Sequence, residues 1–444
     1  MRLLIHNDIN LYLTLAIISF FFQLGNAQTY QQLKFDRHEL TDAFVLRLDA
    51  LQANLVDHLQ DNYSGRERKM MVKRFTEYND FYREQVLEGV YVYHEDYVNY
   101  LQAVVDKIRE ENHSLIRSDI LITLSRDPSL NAFCLPNGLL VVNMGLFHYL
   151  ENEQQLASVI AHEIAHNLLR HGEKSIYRSV QKINSKEFEK KIKQAKRAEY
   201  NQSKKALQVI REDLYDTGRM RRENELQADS LGFVLINNSV FNETEFLQAL
   251  ELMHHFDTIE FTGVQYATYA KYFDLPNLPF DSTWMEPEDF SGYNYRDNEK
   301  MINEDSVRTH PEVETRIEQL QLISNSKGLI DSQNKETDSQ FLDLSRCAEF
   351  EQIPSMNDME EYGKALYTCL YRLQQEKDNK YYQAWMGKLF ASIRDARKSY
   401  TMNRYVERVK IKNQSASYQQ FLTFIWNLEY NEIETIAAFY SDKR

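Results

Sequence analysis

The chain has 444 residues, of which 43% are hydrophobic and 27% are charged, the balance of an ordinary soluble globular protein. This length is enough for a large core and predicts two domains. The formal net charge of -14 argues against nucleic acid as a partner, because a nucleic-acid binder needs a basic face, and against docking on anionic lipid through charge alone.

The N-terminal 27 residues have the pattern of a secretory signal peptide. Arg2 precedes an apolar run over 11–24, and Gly25-Asn26-Ala27 supplies the small residues of a cleavage site. The run is shorter than the roughly 20 apolar residues that a membrane span needs, so cleavage is favoured over a membrane anchor, which remains the alternative. We therefore expect an exported chain, periplasmic or secreted, either free or membrane-associated, with no transmembrane domain after cleavage.

Helices and then a small sheet are predicted for the next part of the chain. Residues 38–118 have Tyr-rich apolar faces, little Gly and no Pro, a pattern typical of helices. Residues 120–124 form a short β-type run, and Asn137-Gly138 indicates a tight turn before a second apolar run at 139–142.

A further helix is expected to follow this sheet. Asn152 can cap its start, and Gly172 would end it after His171. Residues 173–222 are rich in Lys, Glu and Gln, which favours a solvated helical hairpin, and a separate helix is predicted at 223–238.

The C-terminal part of the sequence is again helical. Residues 274–300 are loop-like, with several Pro among aromatic and acidic residues, and 323–340 has the low hydrophobicity of a linker. The expected organisation is a signal peptide at 1–27, a main domain at 28–322 with its core at 95–320, a linker at 323–340 and a helical domain at 341–444. Of the three cysteines, Cys134, Cys347 and Cys369, the last two could form a disulfide after export, or all three could be buried apolar residues.

The segment His162-Glu163-Ile164-Ala165-His166 predicts a metal site. On a helix, the two histidines lie on one face about one turn apart, so both can reach one Zn²⁺ at about 2.0–2.1 Å. Glu163 is the next residue along the helix after His162. It is too far round the helix to be a ligand but near enough to take a proton from a water that the metal activates. This is the HExxH pattern, which also arises by chance, so a third ligand has to decide.

Glu225 supplies the third ligand. Glu225 and Asp229 are four residues apart on one helical face, and two His with one Glu and an open fourth position make a catalytic type of zinc site. Asp229 can hydrogen-bond the free ring nitrogen of a liganding His. The alternative is a solvated acidic face beside Arg221 and Arg222, but the upstream HExxH favours the metal.

The sequence resembles the HtpX-like zinc peptidases, a group that includes the CAAX prenyl proteases, the mitochondrial OMA-type protease and the bacterial periplasmic proteases BepA and LoiP. The resemblance extends over about 95–320. Its elements, in chain order, are Asn131-Ala132-Phe133, Pro136-Asn137-Gly138, Gly145-Leu146, the run 153–166 containing the HExxH, Glu225-x-x-Ala228-Asp229, and Thr309-His310-Pro311 with Arg316.

The resemblance implies a mainly α fold with a small β-sheet (α+β), in which a zincin-type (gluzincin) catalytic domain precedes a helical C-terminal region. An edge strand that includes Asn131, Ala132 and Phe133 would hold the substrate backbone beside the zinc. By the same resemblance, His310 and Arg316 would face the cleft and either stabilise the oxyanion or gate the metal. From the residues alone, His310 before Pro is more often a loop residue than a ligand.

We therefore expect a zinc metalloendopeptidase, a hydrolase with one Zn²⁺ per chain on His162, His166 and Glu225, and with Glu163 as general base. The resemblance implies protein quality control in the bacterial cell envelope, with misfolded or unassembled envelope proteins as substrates. Outer-membrane assembly components are candidate partners, although the resemblance by itself does not imply a shared partner. The extra transmembrane helices of the HtpX and prenyl-protease branches are missing, which favours the soluble exported branch. Two alternatives stay open: an envelope chaperone or binding protein with a latent zinc site, and an esterase or other zinc hydrolase.

Overall fold

The computed structural model describes residues 30–35, 38–116, 119–196, 202–258, 263–287, 313–325, 338–410 and 414–441. These residues are mostly helical with one small sheet, which confirms the predicted fold class. No helix within these ranges is long and apolar enough to cross a membrane. The predicted signal peptide at 1–27 and His310 lie outside the described residues.

The chain folds into two compact units. As far as it is described, the first unit comprises residues 35–258 and 313–349, and the second comprises 30–34, 263–287 and 350–441. The second unit therefore includes residues 263–287, which lie in the sequence between the two parts of the first unit. Most of the predicted linker at 323–340 lies outside the described ranges, so the domain division drawn from the sequence stays a prediction.

The first unit begins with three helices, as predicted for 38–118. They are α1 (His38–Asn62), α2 (Gly65–Leu87) and α3 (Glu95–Glu110), and a short strand that was not predicted, β1 (Tyr91–Val92), separates the last two. Helices α1 and α2 pack on the sheet through a cluster of apolar side chains that includes Phe44, Leu48, Val86, Leu121, Leu139 and Val141.

The predicted sheet is present and has four strands. Strands β2 (Leu121–Ser125), β3 (Ala132–Cys134) and β4 (Leu139–Asn143) join β1 in the order β1-β2-β4-β3, with β2 and β4 parallel and the outer pairs antiparallel. The predicted turn at Asn137-Gly138 joins β3 to β4, and Gly138 has a φ of 94°, in the region that favours glycine. Strand β3 is thus at one edge of the sheet.

Two helices follow the sheet, α4 (Met144–Tyr149) and α5 (Glu153–Leu168). The predicted cap of α5 is confirmed, because Oδ1 of Asn152 accepts hydrogen bonds from the backbone N–H groups of Gln154 and Gln155 at 3.0 and 2.9 Å. The cap satisfies two backbone N–H groups of the first turn that have no partner within the helix, and so stabilises the start of α5.

The predicted end of this helix was wrong. Helix α5 ends at Leu168, Arg170 turns the chain with a left-handed φ of 55°, and α6 (His171–Asn184) begins at His171. Gly172 lies in the first turn of α6, where a Cβ atom would come within 2.8 Å of the Pro136 side chain. The glycine therefore serves close packing, which a sequence pattern cannot distinguish from a helix end.

The remaining helices of the first unit are α7 (Lys186–Lys196), α8 (Gln202–Asn238), α9 (Thr244–Thr258) and α11 (Val313–Asn325). The predicted separate helix at 223–238 was wrong, because α8 runs without a break over 37 residues. No Pro interrupts this stretch, and a helix tolerates its two glycines, Gly218 and Gly232, at a cost of about 1 kcal/mol each. Helix α7 packs on α8, in agreement with the helical hairpin predicted for 173–222.

The second unit is helical, as predicted, and its aromatic core includes Tyr269, Phe273, Phe390 and Phe424. Its elements are α10 (Tyr266–Phe273), a 3-10 turn (Ser282–Met285), the second half of α12 (Ser339–Asp358), α13 (Tyr362–Gln375), α14 (Lys380–Lys398), a 3-10 turn (Met402–Arg404), α15 (Ala416–Asn427) and α16 (Tyr430–Ser441). All three cysteines of the chain are free thiols, so the considered disulfide between Cys347 and Cys369 is not formed.

Candidate metal centre

Helices α5 and α8 bring the predicted ligands together. They cross closely at Gly232 of α8, where a Cβ atom would lie 3.1 Å from the backbone N and Cα of His162. This separation is tighter than ordinary van der Waals contact, so a glycine favours the approach of the two helices. Glu225 lies about two turns before Gly232 on α8, which carries its carboxylate to the same region as the two histidines.

The three predicted ligands point their donor atoms at one place. Nε2 of His162 lies 3.0 Å from Nε2 of His166, and the two nitrogens lie 3.4 and 3.5 Å from the carboxylate oxygens of Glu225. A tetrahedral zinc site with bonds of about 2.0–2.1 Å separates its ligand atoms by about 3.3–3.4 Å. The spacing and the donor set of two imidazoles and one carboxylate therefore fit a zinc ion.

Asp229 lies against the outer nitrogen of one ligand, as predicted. It is 1% exposed, and its Oδ1 lies 2.9 Å from Nδ1 of His162. A carboxylate in hydrogen-bond range of Nδ1 holds the proton on that nitrogen and leaves the lone pair of Nε2 free for a metal.

Arg316, from α11, is bound to this carboxylate. Its Nε and Nη2 donate to the two oxygens of Asp229 at 2.6 and 2.7 Å, and Nη2 also lies 3.7 Å from Glu225. The guanidinium is buried, so this bidentate pair is fixed in position rather than exchanging with water. Arg316 thus holds Asp229 in place beside the ligands, while its predicted role, to stabilise the oxyanion or to gate the metal, stays a prediction.

The acidic groups make the centre favourable for positive charge. Burial by itself lowers the pKa of His162, but hydrogen bonds with Asp229 and Glu225 outweigh it and raise the pKa to about 10. Burial, together with the charge of His162, lowers the pKa of His166 to about 3. Without a metal the pair therefore holds a proton on His162, and a divalent cation would take the place of that positive charge.

Glu163 lies at the open edge of the sheet. At the two ends of β3, the N–H of Leu135 and the C=O of Asn131 form hydrogen bonds with β4. The backbone groups of the alternate residues, Ala132 and Cys134, therefore point away from the sheet. One of them, the N–H of Cys134, donates to Oε2 of Glu163 at 3.3 Å. The edge strand thus includes Ala132 and Phe133 as predicted, while Asn131 immediately precedes it and Cys134 extends it. An outward row of backbone groups beside a carboxylate is suited to bind an extended peptide.

Two further residues at the site were not predicted. Nδ1 of His171 lies 3.0 Å from Nδ1 of His166, and its Nε2 lies 3.2 Å from Oε1 of Gln227. Burial lowers the pKa of His171, which favours the neutral ring. A third histidine five positions after His166 was the available signal, but His171 was predicted only as the last residue of the preceding helix.

A comparison with protein-family models identifies the class of protein. The model of Peptidase family M48 matches residues 98–324, more than half of the chain. The chain belongs to this family, whose peptidases depend on a metal that is typically zinc. The resemblance to HtpX-like zinc peptidases is therefore confirmed.

Individual relatives match only in part. The chain is 32% identical over 93 residues to the beta-barrel assembly-enhancing protease of Yersinia pestis. The aligned region covers 21% of this chain and 19% of that protein. It is 40% identical over 50 residues to the mitochondrial metalloendopeptidase OMA1 of Arabidopsis thaliana. It is 48% identical over 48 residues to the beta-barrel assembly-enhancing protease of Escherichia coli K12. Each of these two aligned regions covers 11% of this chain and 10% of the relative. These matches span between a tenth and a fifth of the relatives' lengths.

Proposed function

We propose that the chain is a zinc-dependent endopeptidase that hydrolyses peptide bonds within proteins. One observation carries the proposal: His162, His166 and Glu225 converge with the spacing of a zinc site, and Glu163, next to His162 on the same helix, accepts a hydrogen bond from the edge strand. Two His and one Glu leave a fourth position open, as catalytic rather than structural zinc sites do.

The residues of the chain divide the chemistry among them. Zinc, when bound, supplies a Lewis acid that lowers the pKa of a water and polarises the scissile carbonyl. Glu163 takes the proton of the attacking water and returns it to the leaving amine. Because the Cys134 N–H already reaches Glu163, a substrate that pairs with β3 places its backbone within range of the same carboxylate.

The edge strand favours an unfolded protein as substrate. It offers backbone N–H and C=O groups, and only a segment whose own backbone groups are unpaired can add to it. This supports misfolded or unassembled proteins as the substrate class. The names of the relatives from Yersinia pestis and Escherichia coli, which are beta-barrel assembly-enhancing proteases, support the cell envelope as the place of action and outer-membrane assembly components as partners.

The proposal is tested by the fragments that the purified chain makes from casein, an unfolded protein. We expect internal fragments, because an edge strand can pair with an extended segment from within a chain and does not require a chain end. A small activated ester should be turned over far more slowly, because it cannot pair with β3. Fragments trimmed only from the ends would contradict an endopeptidase, ester cleavage alone would favour the esterase, and binding without cleavage would favour the chaperone.

Export is proposed from the N-terminal sequence alone. The apolar run at 11–24 and the small residues before Gln28 motivate it. Mass spectrometry of the protein from its native host should find a chain that begins at Gln28. An intact Met1 in the membrane fraction would support the anchored alternative instead.

A further inference from the structure

His171 makes a contact with the metal centre that the proposed reaction does not use. It is 4% exposed at the start of α6, and the left-handed turn at Arg170 directs the chain back so that Nδ1 of His171 lies 3.0 Å from Nδ1 of His166. Two unprotonated nitrogens or two N–H groups cannot approach this closely without repulsion. One of the two nitrogens therefore carries the proton and donates it to the other.

Metal binding decides which nitrogen donates. If His166 gives the lone pair of Nε2 to zinc, its proton is on Nδ1, which then donates to Nδ1 of His171. His171 must then carry its own proton on Nε2, and Oε1 of Gln227 lies 3.2 Å from that nitrogen as an acceptor. When a metal is bound, the hydrogen bonds can therefore run only one way, with His166 donating to His171 and His171 donating to Gln227.

We infer that His171 is the positioning residue for the ligand His166, and that the amide oxygen of Gln227 fixes the tautomer of His171. The inference rests on the proposed zinc site. It gives the two imidazole ligands different supports, since Asp229 supports His162 with a carboxylate, whereas a neutral imidazole supports His166. Partners of this kind orient the liganding ring, and their loss typically lowers metal affinity by 10–100-fold.

Two substitutions of His171 separate this role from simple packing. His171→Leu fills the volume but removes the acceptor, and we expect about 10–100-fold weaker zinc binding. His171→Asn places its amide oxygen near the position of Nδ1, and we expect it to keep most of the affinity, because a single hydrogen-bond acceptor is all that His166 needs there. His113→Leu, at an exposed histidine far along the chain from the ligands, is the matched control and should bind zinc as the wild type does.

The measurement is a zinc titration against a chromophoric chelator, combined with thermal unfolding of the metal-free proteins and the absorption spectrum of the Co²⁺ forms. A loss in the Leu variant, restored by Asn and accompanied by an altered Co²⁺ spectrum, supports the inference. Equal affinity in the Leu variant and the wild type would overturn it, and so would an equal loss in the Leu and Asn variants. Because the readout is metal affinity, a wild type that binds zinc but cleaves nothing would refute the proposed function and leave this test intact.

Discussion

Replacing Glu163 with Gln is expected to lower peptide cleavage by about 10²–10⁴-fold while the protein keeps its zinc. The amide has the size of the carboxylate and can still accept the hydrogen bond from the Cys134 N–H, so the edge strand and α5 should be undisturbed. The three ligands are untouched. What is lost is the basicity that takes a proton from the attacking water.

The kcat for a fluorogenic peptide and the zinc content, measured on the same preparation, test this expectation. Glu153→Gln is the matched control, because it makes the same change on the same helix at a carboxylate that bonds Lys107 at 2.6 Å instead of the site. Cleavage at the wild-type rate in Glu163→Gln would remove Glu163 from the role of base. Loss of zinc would show that the assignment of ligand and base is wrong.

Local periodicity explains why much of the centre could be predicted from the sequence. His162 and His166 are four apart, as are Glu225 and Asp229, and on a helix each spacing puts both side chains on one face. The turn at Asn137-Gly138 likewise predicted two paired strands, because a glycine with positive φ is a local requirement. These features depend on neighbours in the chain, which a sequence pattern records.

The parts that were missed depend on contacts between distant segments. Arg170 turns the chain without the glycine that usually marks a helix end, so His171 was assigned to α5 instead of to the start of α6. Arg316 was predicted from the resemblance, but its bond to Asp229, 87 residues away, is a tertiary contact with no local pattern. His310 was predicted from the same element of the sequence and lies outside the described residues.

Removal of the metal is expected to abolish peptide cleavage entirely, an effect at least as large as that of Glu163→Gln. In the metal-free site Asp229 and Glu225 raise the pKa of His162, so a proton offsets part of the acidic charge, but the site has no Lewis acid. The fold should persist without the metal, because the helices that carry the ligands are held in the protein by buried apolar side chains. Added zinc should therefore restore activity without refolding.

Glu225→Ala is the matched variant for this experiment. It removes one of three ligands and leaves Glu163, β3 and the two histidines in place. The bidentate pair of Arg316 with Asp229 is also retained, so the loss is specific to the metal. We expect this variant to stay inactive at a zinc concentration that fully restores the wild type.

The most direct test of the zinc-peptidase account is a titration of the stripped wild-type protein with Zn²⁺, in which casein cleavage and bound zinc are measured at each addition. Activity is expected to rise from zero and reach its plateau at about one bound Zn²⁺ per chain, as for a single three-ligand site. A stripped preparation that contains no bound metal and still cleaves casein at the wild-type rate would contradict the account.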